Sequence, residues 1–291
     1  RYGDVDTYKI ALCAVGEDLR APISIGGNPS EAAALDNFCW PDPLESETNP
    51  DARYKLAQLV RACKGLHDGC LAYGVPLISG KDSMKNDALV GGIKISIRPT
   101  LLISLLGIIP DVHRALTTDF KNPGDTIVLL GETRGEMGGT RYEHMVDKEL
   151  GKCPEVVPSQ ALSLYQLVYE AARKGLISSC HDLSDGGLAV ALCESAIAGG
   201  FGFQVNLESI PGPGTETMED TRLLFCETPS RFIITLSDKH KEAFLLLMKD
   251  QPCAVIGEVR DGKAIEIIRG DNTLITTDLD SVTTAWKTPI D

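Results

Sequence analysis

Polar side chains that could orient a phosphate group follow a strand-like run at residues 76–87 (PLISGKDSMKND). Ser79 ends the apolar run, and Lys81, Asp82 and Ser83 follow the next glycine. A run of strand formers that stops at glycine and then presents charged and hydroxyl groups is typical of a strand end that meets a ligand. Hydroxyl donors, a cation and a carboxylate are the groups that orient a phosphate and a Mg²⁺ ion.

Two further clusters carry acidic residues that could act with this one. Asp36 lies in residues 34–43 (ALDNFCWPDP), and Asp185 lies in residues 181–187 (HDLSDGG). Asp36 could instead occupy a turn or a helix cap. Asp185 either caps the next helix or holds a cation beside two glycines that let a ligand reach backbone N–H groups. His181 fits a general base or a hydrogen-bonded structural residue.

The glycine-rich segment at residues 131–142 (GETRGEMGGTRY) matches neither the P-loop pattern nor G-x-G-x-x-G. It is interpreted as a tight loop around a strand end. The chain also has no G-x-S-x-G, H-E-x-x-H or protein-kinase signature. Serine-hydrolase and zinc-protease functions are therefore disfavoured.

Composition narrows the classes of partner. The 291 residues are 43% hydrophobic and 24% charged, with a net charge of −13, as in an ordinary globular protein. The negative charge disfavours nucleic acid but is compatible with a small anion held by local amides, a metal and a few cations. No run reaches the roughly 18 apolar residues of a membrane span. The opening residues RYGDVDTYKI lack a basic region and an apolar stretch, so they are not expected to act as a signal peptide. Nine cysteines without a Cys-x-x-Cys pair indicate reduced thiols in a cytoplasmic protein.

The spacing of apolar residues predicts a helix from about residue 49 to Gly74, then strands at 75–80, 93–97 and 101–109. The last of these strands is apolar throughout, which predicts that both of its faces are covered. An Asn-Pro-Gly-Asp turn at residues 122–125 indicates a boundary.

Strands and helices alternate after this boundary, which predicts a layered α/β region. Strands are expected at residues 126–131 and 176–182, and helices at 158–175 and 188–200. Residues 255–270 are expected to form a hairpin around an Asp-Gly turn, and the Pro/Gly-rich stretch at 211–221 is expected to be a mobile loop.

Six ordered segments together resemble the phosphoribosylformylglycinamidine synthase family, in the second half of its synthetase component. They are RYGDVDTYKIALCAVGEDLR, ALDNFCWPDP, PLISGKDSMKND, KNPGDTIVLLGETRGEMGGTRY, HDLSDGGLAVALCESAIAGG and LFCETPSRFIITLS. The family belongs to the aminoimidazole ribonucleotide synthetase-like superfamily. The resemblance implies an N-terminal-type subdomain at residues 1–118, truncated at its start, and a C-terminal-type subdomain at residues 119–291.

The resemblance implies an ATP-dependent carbon–nitrogen ligase of purine biosynthesis. In that family, ATP phosphorylates the formamide oxygen of formylglycinamide ribonucleotide, and ammonia from a glutaminase partner then gives the amidine. Mg²⁺ would neutralise the charge that develops on the phosphoryl group. The same resemblance implies that Asp36 and Gly80 contact ATP and that Ser83 contacts the ribonucleotide. Lys81 stands at a family metal-ligand position, so Asp82 or Lys81 is expected to neutralise charge there.

The resemblance also implies a second, auxiliary nucleotide site, with Glu17 and Asp185 as metal ligands. Ala21 stands where the family has an asparagine ligand, so this site is expected to be weakened or empty.

The general-base histidine and most ribonucleotide contacts of the family lie in an N-terminal half that this chain is expected to lack. The chain alone is therefore expected to be inactive, with an uncovered apolar sheet surface that favours a homodimer. The alternative is a noncatalytic nucleotide-binding or scaffold half of the same enzyme.

Overall fold

The computed structural model describes residues 6–288, so the expected subdomain limits at residues 1 and 291 lie outside it. The first region is a small sheet with two long helices. Its elements, in chain order, are α1 (Thr7–Ser24), β1 (Ala32–Cys39), α2 (Ala52–Tyr73), β2 (Leu77–Ser83), β3 (Asp87–Val90), β4 (Ile93–Ser96) and β5 (Thr100–Gly107). Strands β2, β1 and β5 form a sheet in that order, and β3 pairs with β4 in a separate hairpin.

Helix α1 was not predicted from the sequence. Asp6 caps it by accepting hydrogen bonds from two backbone N–H groups in its first turn. Ala11, Val15, Leu19 and Ile23 recur every four residues and are fully buried, so one face of the helix belongs to the core. Its helical period was present in the sequence but lies among glycine and charged residues that obscure it.

Strand β5 is covered on one face only. Leu101 and Ile103 are buried, whereas Leu102 and Leu106 are 56% and 60% exposed. The prediction that this strand is covered on both faces is therefore wrong for the described residues. The sequence could not distinguish these cases, because a strand that is apolar on both faces has no alternation to reveal which face is open.

The second region is a seven-stranded sheet with helices on both faces. Its elements are β6 (Thr126–Leu130), α3 (Arg141–Val146), α4 (Pro158–Arg173), β7 (Ser179–Asp182), α5 (Gly187–Gly199), β8 (Gly202–Asn206), α6 (Asp220–Phe225), β9 (Phe232–Leu236), α7 (Asp238–Leu247), β10 (Cys253–Arg260), β11 (Ala264–Arg269), β12 (Asn272–Asp278) and α8 (Leu279–Lys287). The strand order is β12-β11-β8-β10-β6-β9-β7. Layered α/β architecture is confirmed.

The hairpin predicted at residues 255–270 is wrong, because β8 lies between β10 and β11. Two glycines permit this insertion. A Cβ at Gly257 would lie 1.9 Å from the Gln204 carbonyl oxygen, and a Cβ at Gly202 would lie 2.0 Å from that of Ala264. The true hairpin joins β11 to β12, where Arg269 pairs with Asn272.

A continuous apolar core joins the two regions. Val15 and Leu19 of α1 belong to the same buried cluster as Val168 of α4 and Ile234 of β9. A buried ion pair crosses this contact, since Arg20 Nε lies 3.0 Å from an Asp182 carboxylate oxygen. The two regions therefore pack as one body.

The stretch expected to be a mobile loop, 211–221, is held against the sheet. Arg269 donates hydrogen bonds to the backbone carbonyls of Thr215, Glu216 and Met218. Among residues 6–288, no helix is both long enough and apolar enough to cross a membrane.

Candidate functional site

The parallel pairing of β1 and β2 brings the predicted site residues together. Asp36 pairs with Gly80, and Phe38 pairs with Asp82. Asp36 therefore lies within strand β1, and its interpretation as a turn or cap residue is wrong. Because side chains alternate along a strand, Asp36 and Asp82 share one face, while Lys81 and Ser83 project from the other.

Gly80 is required by the position of the Asp36 side chain. A Cβ at Gly80 would lie 2.3 Å from Asp36 Oδ1 and 2.9 Å from the Asp36 carbonyl oxygen. The carboxylate thus occupies the space that a side chain at position 80 would take. This close approach holds the carboxylate of the central strand β1 against the edge strand β2.

A groove of about 730 Å³ runs between α2 and the β1–β2 edge. Asp36 and Asp82 supply its carboxylates, and the wall on α2 includes Cys63 and His67. The remaining lining is mostly apolar, from Phe38, Leu66, Leu71, Val75, Pro76 and Leu77. A largely apolar cleft of this size with a few polar groups at one place is typical of a small-molecule site.

The opposite face of the same strands carries Lys81, Ser83 and Asn37. The Ser83 carbonyl accepts hydrogen bonds from the Trp40 N–H at 2.8 Å and from Asn86 Nδ2 at 2.7 Å, which fixes this end of β2. Asn37 Oδ1 is buried without a hydrogen-bond partner. Buried amide oxygens are rarely left unpaired, so Asn37, which the sequence did not single out, is a further polar group near the site.

A second cavity, of about 30 Å³, brings together the residues expected at the auxiliary site. Glu17 and Asp185 both line it, with Glu227. Glu17 Oε1 accepts a hydrogen bond from the Ser184 hydroxyl, and an Asp185 oxygen lies 3.6 Å from Arg141 Nε. Protein groups already engage these carboxylates.

Glu227 organises the start of helix α5. Its carboxylate accepts hydrogen bonds from the backbone N–H groups of Gly186 at 2.9 Å and Arg141 at 2.8 Å. Gly186, with φ of 79°, occupies the cap position of α5, so Asp185 does not cap the helix. The sequence did not identify Glu227, because its partners lie 41 and 86 residues away.

His181 belongs to a structural ion network. Its Nε2 lies 2.9 Å from Glu194, and its neighbour Asp182 pairs with Arg20. Burial lowers the pKa of the imidazole, but the adjacent carboxylates outweigh burial and raise it to about 9. A histidine held as a cation between carboxylates is a poor general base near neutral pH. The structural interpretation of His181 is therefore favoured.

The glycine-rich segment forms the tight loop that was expected. The fully buried Arg231 donates hydrogen bonds to Thr133 Oγ1 and to the carbonyls of Cys226 and Thr228. Thr228 in turn bonds Glu136. These contacts hold the loop after β6 against the segment before β9.

The two carboxylate sets differ in how well they fit Mg²⁺. Asp36 and Asp82 share one groove, and Mg²⁺ that enters with a nucleotide needs only one or two carboxylates besides the phosphates. Glu17 and Asp185 fit poorly because protein donors engage them. Within residues 6–288, no group of three or more His, Cys, Asp or Glu side chains is arranged to hold a metal by itself.

Two family models match the chain in order. The AIR synthase related protein N-terminal domain matches residues 2–109, and the AIR synthase related protein C-terminal domain matches residues 122–270. The chain belongs to the AIR synthase related family. The match confirms the expected fold class, with an N-terminal-type region followed by a C-terminal-type region.

Similar proteins confirm the resemblance inferred from the six segments. The chain is 39% identical, over its whole length, to phosphoribosylformylglycinamidine synthase subunit PurL of Cutibacterium acnes, and it spans 36% of that protein. The structure superposes on Thermotoga maritima PurL complexed with FGAR with a TM-score of 0.73 and 18% identity, covering 95% of this chain and 43% of that one. T. maritima PurL complexed with ATP gives a TM-score of 0.71 at 17% identity, with 96% and 42% covered.

The same fold occurs outside the synthases. Hydrogenase maturation protein HypE in complex with ATP superposes with a TM-score of 0.67 and 18% identity, covering 92% of this chain and 79% of that chain. At these identities the superpositions show a shared fold only.

Proposed function

We propose that the chain forms part of a phosphoribosylformylglycinamidine synthase, an ATP-dependent carbon–nitrogen ligase, and contributes one wall of its ATP site. The observation that carries the proposal is the Asp36 carboxylate held against Gly80 in paired strands at the edge of a large groove. The 39% identity to a PurL subunit supports the reaction class.

The two faces of β2 suggest separate roles. Asp36 and Asp82 line the groove and would hold the Mg²⁺ that accompanies ATP, where the ion supplies charge neutralisation for phosphoryl transfer. Ser83 and Lys81 lie on the other face and would meet the ribonucleotide. This arrangement favours Asp82 over Lys81 as a metal ligand, because an ammonium group cannot coordinate a cation.

In the proposed reaction, the γ-phosphoryl group of ATP passes to the formamide oxygen and ADP leaves. Ammonia then adds at the activated carbon, and phosphate departs to leave the amidine. The described residues contribute binding and orientation, which accelerate a reaction by holding the reacting atoms in line.

The partners of the proposed enzyme follow from the same relationship. They are ATP, formylglycinamide ribonucleotide, the remaining part of a PurL-type subunit and a glutaminase. The exposed apolar face of β5 supports docking of that remaining part or of a second copy. A cytoplasmic location is supported by nine cysteines that are all unpaired.

The test measures ADP and amidine formation from formylglycinamide ribonucleotide, MgATP and ammonium. The chain is assayed alone and mixed with the part of C. acnes PurL that it does not match. Turnover only in the mixture, lost with Asp36→Asn, is the expected result. Turnover by the chain alone contradicts a composite site, and full turnover with Asp36→Asn indicates a scaffold half.

A further inference from the structure

A separate cavity lies where the segment between β5 and β6 passes the loop after α1 and the end of α4. It has a volume of about 400 Å³ and is lined by Gly26, Pro110, Asp111, Arg114, Ala172 and Arg173. It shares no lining residue with the groove at Asp36 or with the small carboxylate cavity. Both regions of the molecule contribute to its walls.

Two arginines without acceptors line this cavity. Among the described residues, neither the Arg114 nor the Arg173 guanidinium has a hydrogen-bond or ion-pair partner, and Arg173 only lies 5.8 Å from the Tyr169 ring centre. The adjacent Lys174, by contrast, pairs with Glu170 at 2.6 Å. Both side chains are exposed, so in a chain with a net charge of −13 they form a local positive site that is open to an anion from solution.

The carboxylate in the lining does not neutralise them. Asp111 Oδ1 accepts a hydrogen bond of 3.0 Å from the His113 N–H and so caps the short turn that carries Arg114. Asp111 therefore positions the backbone of Arg114 without bonding its side chain.

Arg114 is exposed but lies against two glycines. Its Nη1 lies 2.4 Å from the place that a Cβ at Gly175 would take, and its carbonyl oxygen lies 3.1 Å from the corresponding place at Gly26. The guanidinium thus rests on the end of α4, where the helix dipole favours a cation. That attraction accounts for a positive charge there but gives neither guanidinium a protein acceptor, so both can donate to a ligand.

We propose that this cavity binds a small phosphate monoester, with the phosphate between Arg114 and Arg173 and the organic part in the remaining space. Guanidinium groups match phosphate oxygens in paired, charge-assisted hydrogen bonds. The volume exceeds what a bare phosphate needs and falls in the range of small-ligand pockets. A ligand there would bridge the joining segment, the loop after α1 and the end of α4.

The test is titration calorimetry of the whole chain with ribose 5-phosphate, inorganic phosphate and uncharged ribose. Arg114→Gln and Arg173→Gln each remove one guanidinium group from the cavity. Lys174→Gln is the matched control, because it removes a neighbouring positive charge that lies outside the cavity. Each arginine variant is expected to weaken ribose 5-phosphate binding by about tenfold or more. The lysine variant is expected to bind like the parent. Equal unfolding midpoints will show that all variants are folded.

Three results overturn the proposal. The first is no heat of binding with ribose 5-phosphate at about 10 mM, because a site that stays empty at that concentration binds the ester too weakly to be specific. The second is equal loss in the lysine and arginine variants, which indicates general charge attraction. The third is inorganic phosphate binding as tightly as the ester, which assigns the cavity to free phosphate. Tighter binding of the ester, dependent on both arginines, supports the proposal.

Discussion

The contact between Asp36 and Gly80 makes a residue-level prediction. Gly80 does not have positive φ, so Gly80→Ala changes the contact with Asp36 rather than the backbone conformation. The new methyl group must displace the carboxylate, from which it would otherwise lie 2.3 Å. We expect ATP affinity, measured by calorimetry on the mixed enzyme, to fall by about tenfold or more. Ser79→Ala is the control, and unchanged affinity in Gly80→Ala would contradict the assigned role.

The thiol of Cys63 offers a direct probe of the groove. Of the nine cysteines, all within the described range, Cys63 alone is exposed. Burial and the nearby Asp82 and Asp36 carboxylates raise its thiol pKa, so alkylation is best followed at alkaline pH. MgATP is expected to slow alkylation of Cys63, read by mass spectrometry, because the nucleotide covers the groove. Equal rates with MgATP and with Mg²⁺ alone would place the nucleotide elsewhere.

Local runs of residues made part of the site predictable. Gly80 and Ser83 were expected at and just after the end of a strand at residues 75–80, whereas β2 extends to Ser83 and contains both. Nearby sequence predicted the strand but not where it ends. Glu227 and Arg20 could not be predicted this way, because their roles depend on groups far along the chain, such as Asp182, 162 residues from Arg20. The sequence shows that a carboxylate exists but not which backbone N–H groups will reach it.

At the scale of elements, His181 couples β7 and α5 to pH. Its pKa rises from an ordinary 6.5 to about 9 in the folded protein. Protonation therefore stabilises the fold below about pH 6.5, and this contribution is lost as the pH rises through about 9. In His181→Gln, we expect the free energy of unfolding to be lower by about 2 kcal/mol near pH 6, with the gap closing by about pH 9.5.

Urea unfolding of parent and variant across this range measures the gap. Asp18, whose pKa burial and the neighbouring Glu17 raise to about 7, also destabilises the fold as pH rises from about 4 to 7. That effect is common to both proteins and cancels in the difference. His113→Gln, at an exposed histidine, is the control, and a pH-independent gap in His181→Gln would contradict the assigned ion network.

The order of strands shows where element prediction failed. The Asp-Gly pair at residues 261–262 has the composition of a hairpin turn, yet the chain there passes over the end of β8. The Gly202 N–H of β8 donates a hydrogen bond of 2.7 Å to the Gly262 carbonyl. Turn composition reports local backbone preference, whereas pairing depends on which distant strand fills the space. Most helices and strands were predictable, but their neighbours were not.

At the scale of the whole molecule, the open face of the small sheet predicts association. Leu102 and Leu106 lie exposed on the same face of β5. We expect the isolated chain to dimerise at tens of micromolar, measured by light scattering, because apolar patches of this kind are rarely left in water. Leu102→Lys should shift the chain toward monomer, and Val112→Lys, at an exposed site outside the sheet, should not. A monomeric parent would contradict this prediction.

The apolar core shared by α1, α4 and β9 has a consequence for how the protein comes apart. Two family domains match successive parts of the chain, but Leu19 of the first packs in the same cluster as Val168 and Ile234 of the second. Neither part can lose its packing without exposing the other. Thermal unfolding should therefore be a single cooperative transition by calorimetry. A fragment that ends or begins near residue 118 should lack a complete core and unfold without a cooperative transition. The two matched domains therefore form a single unit of unfolding.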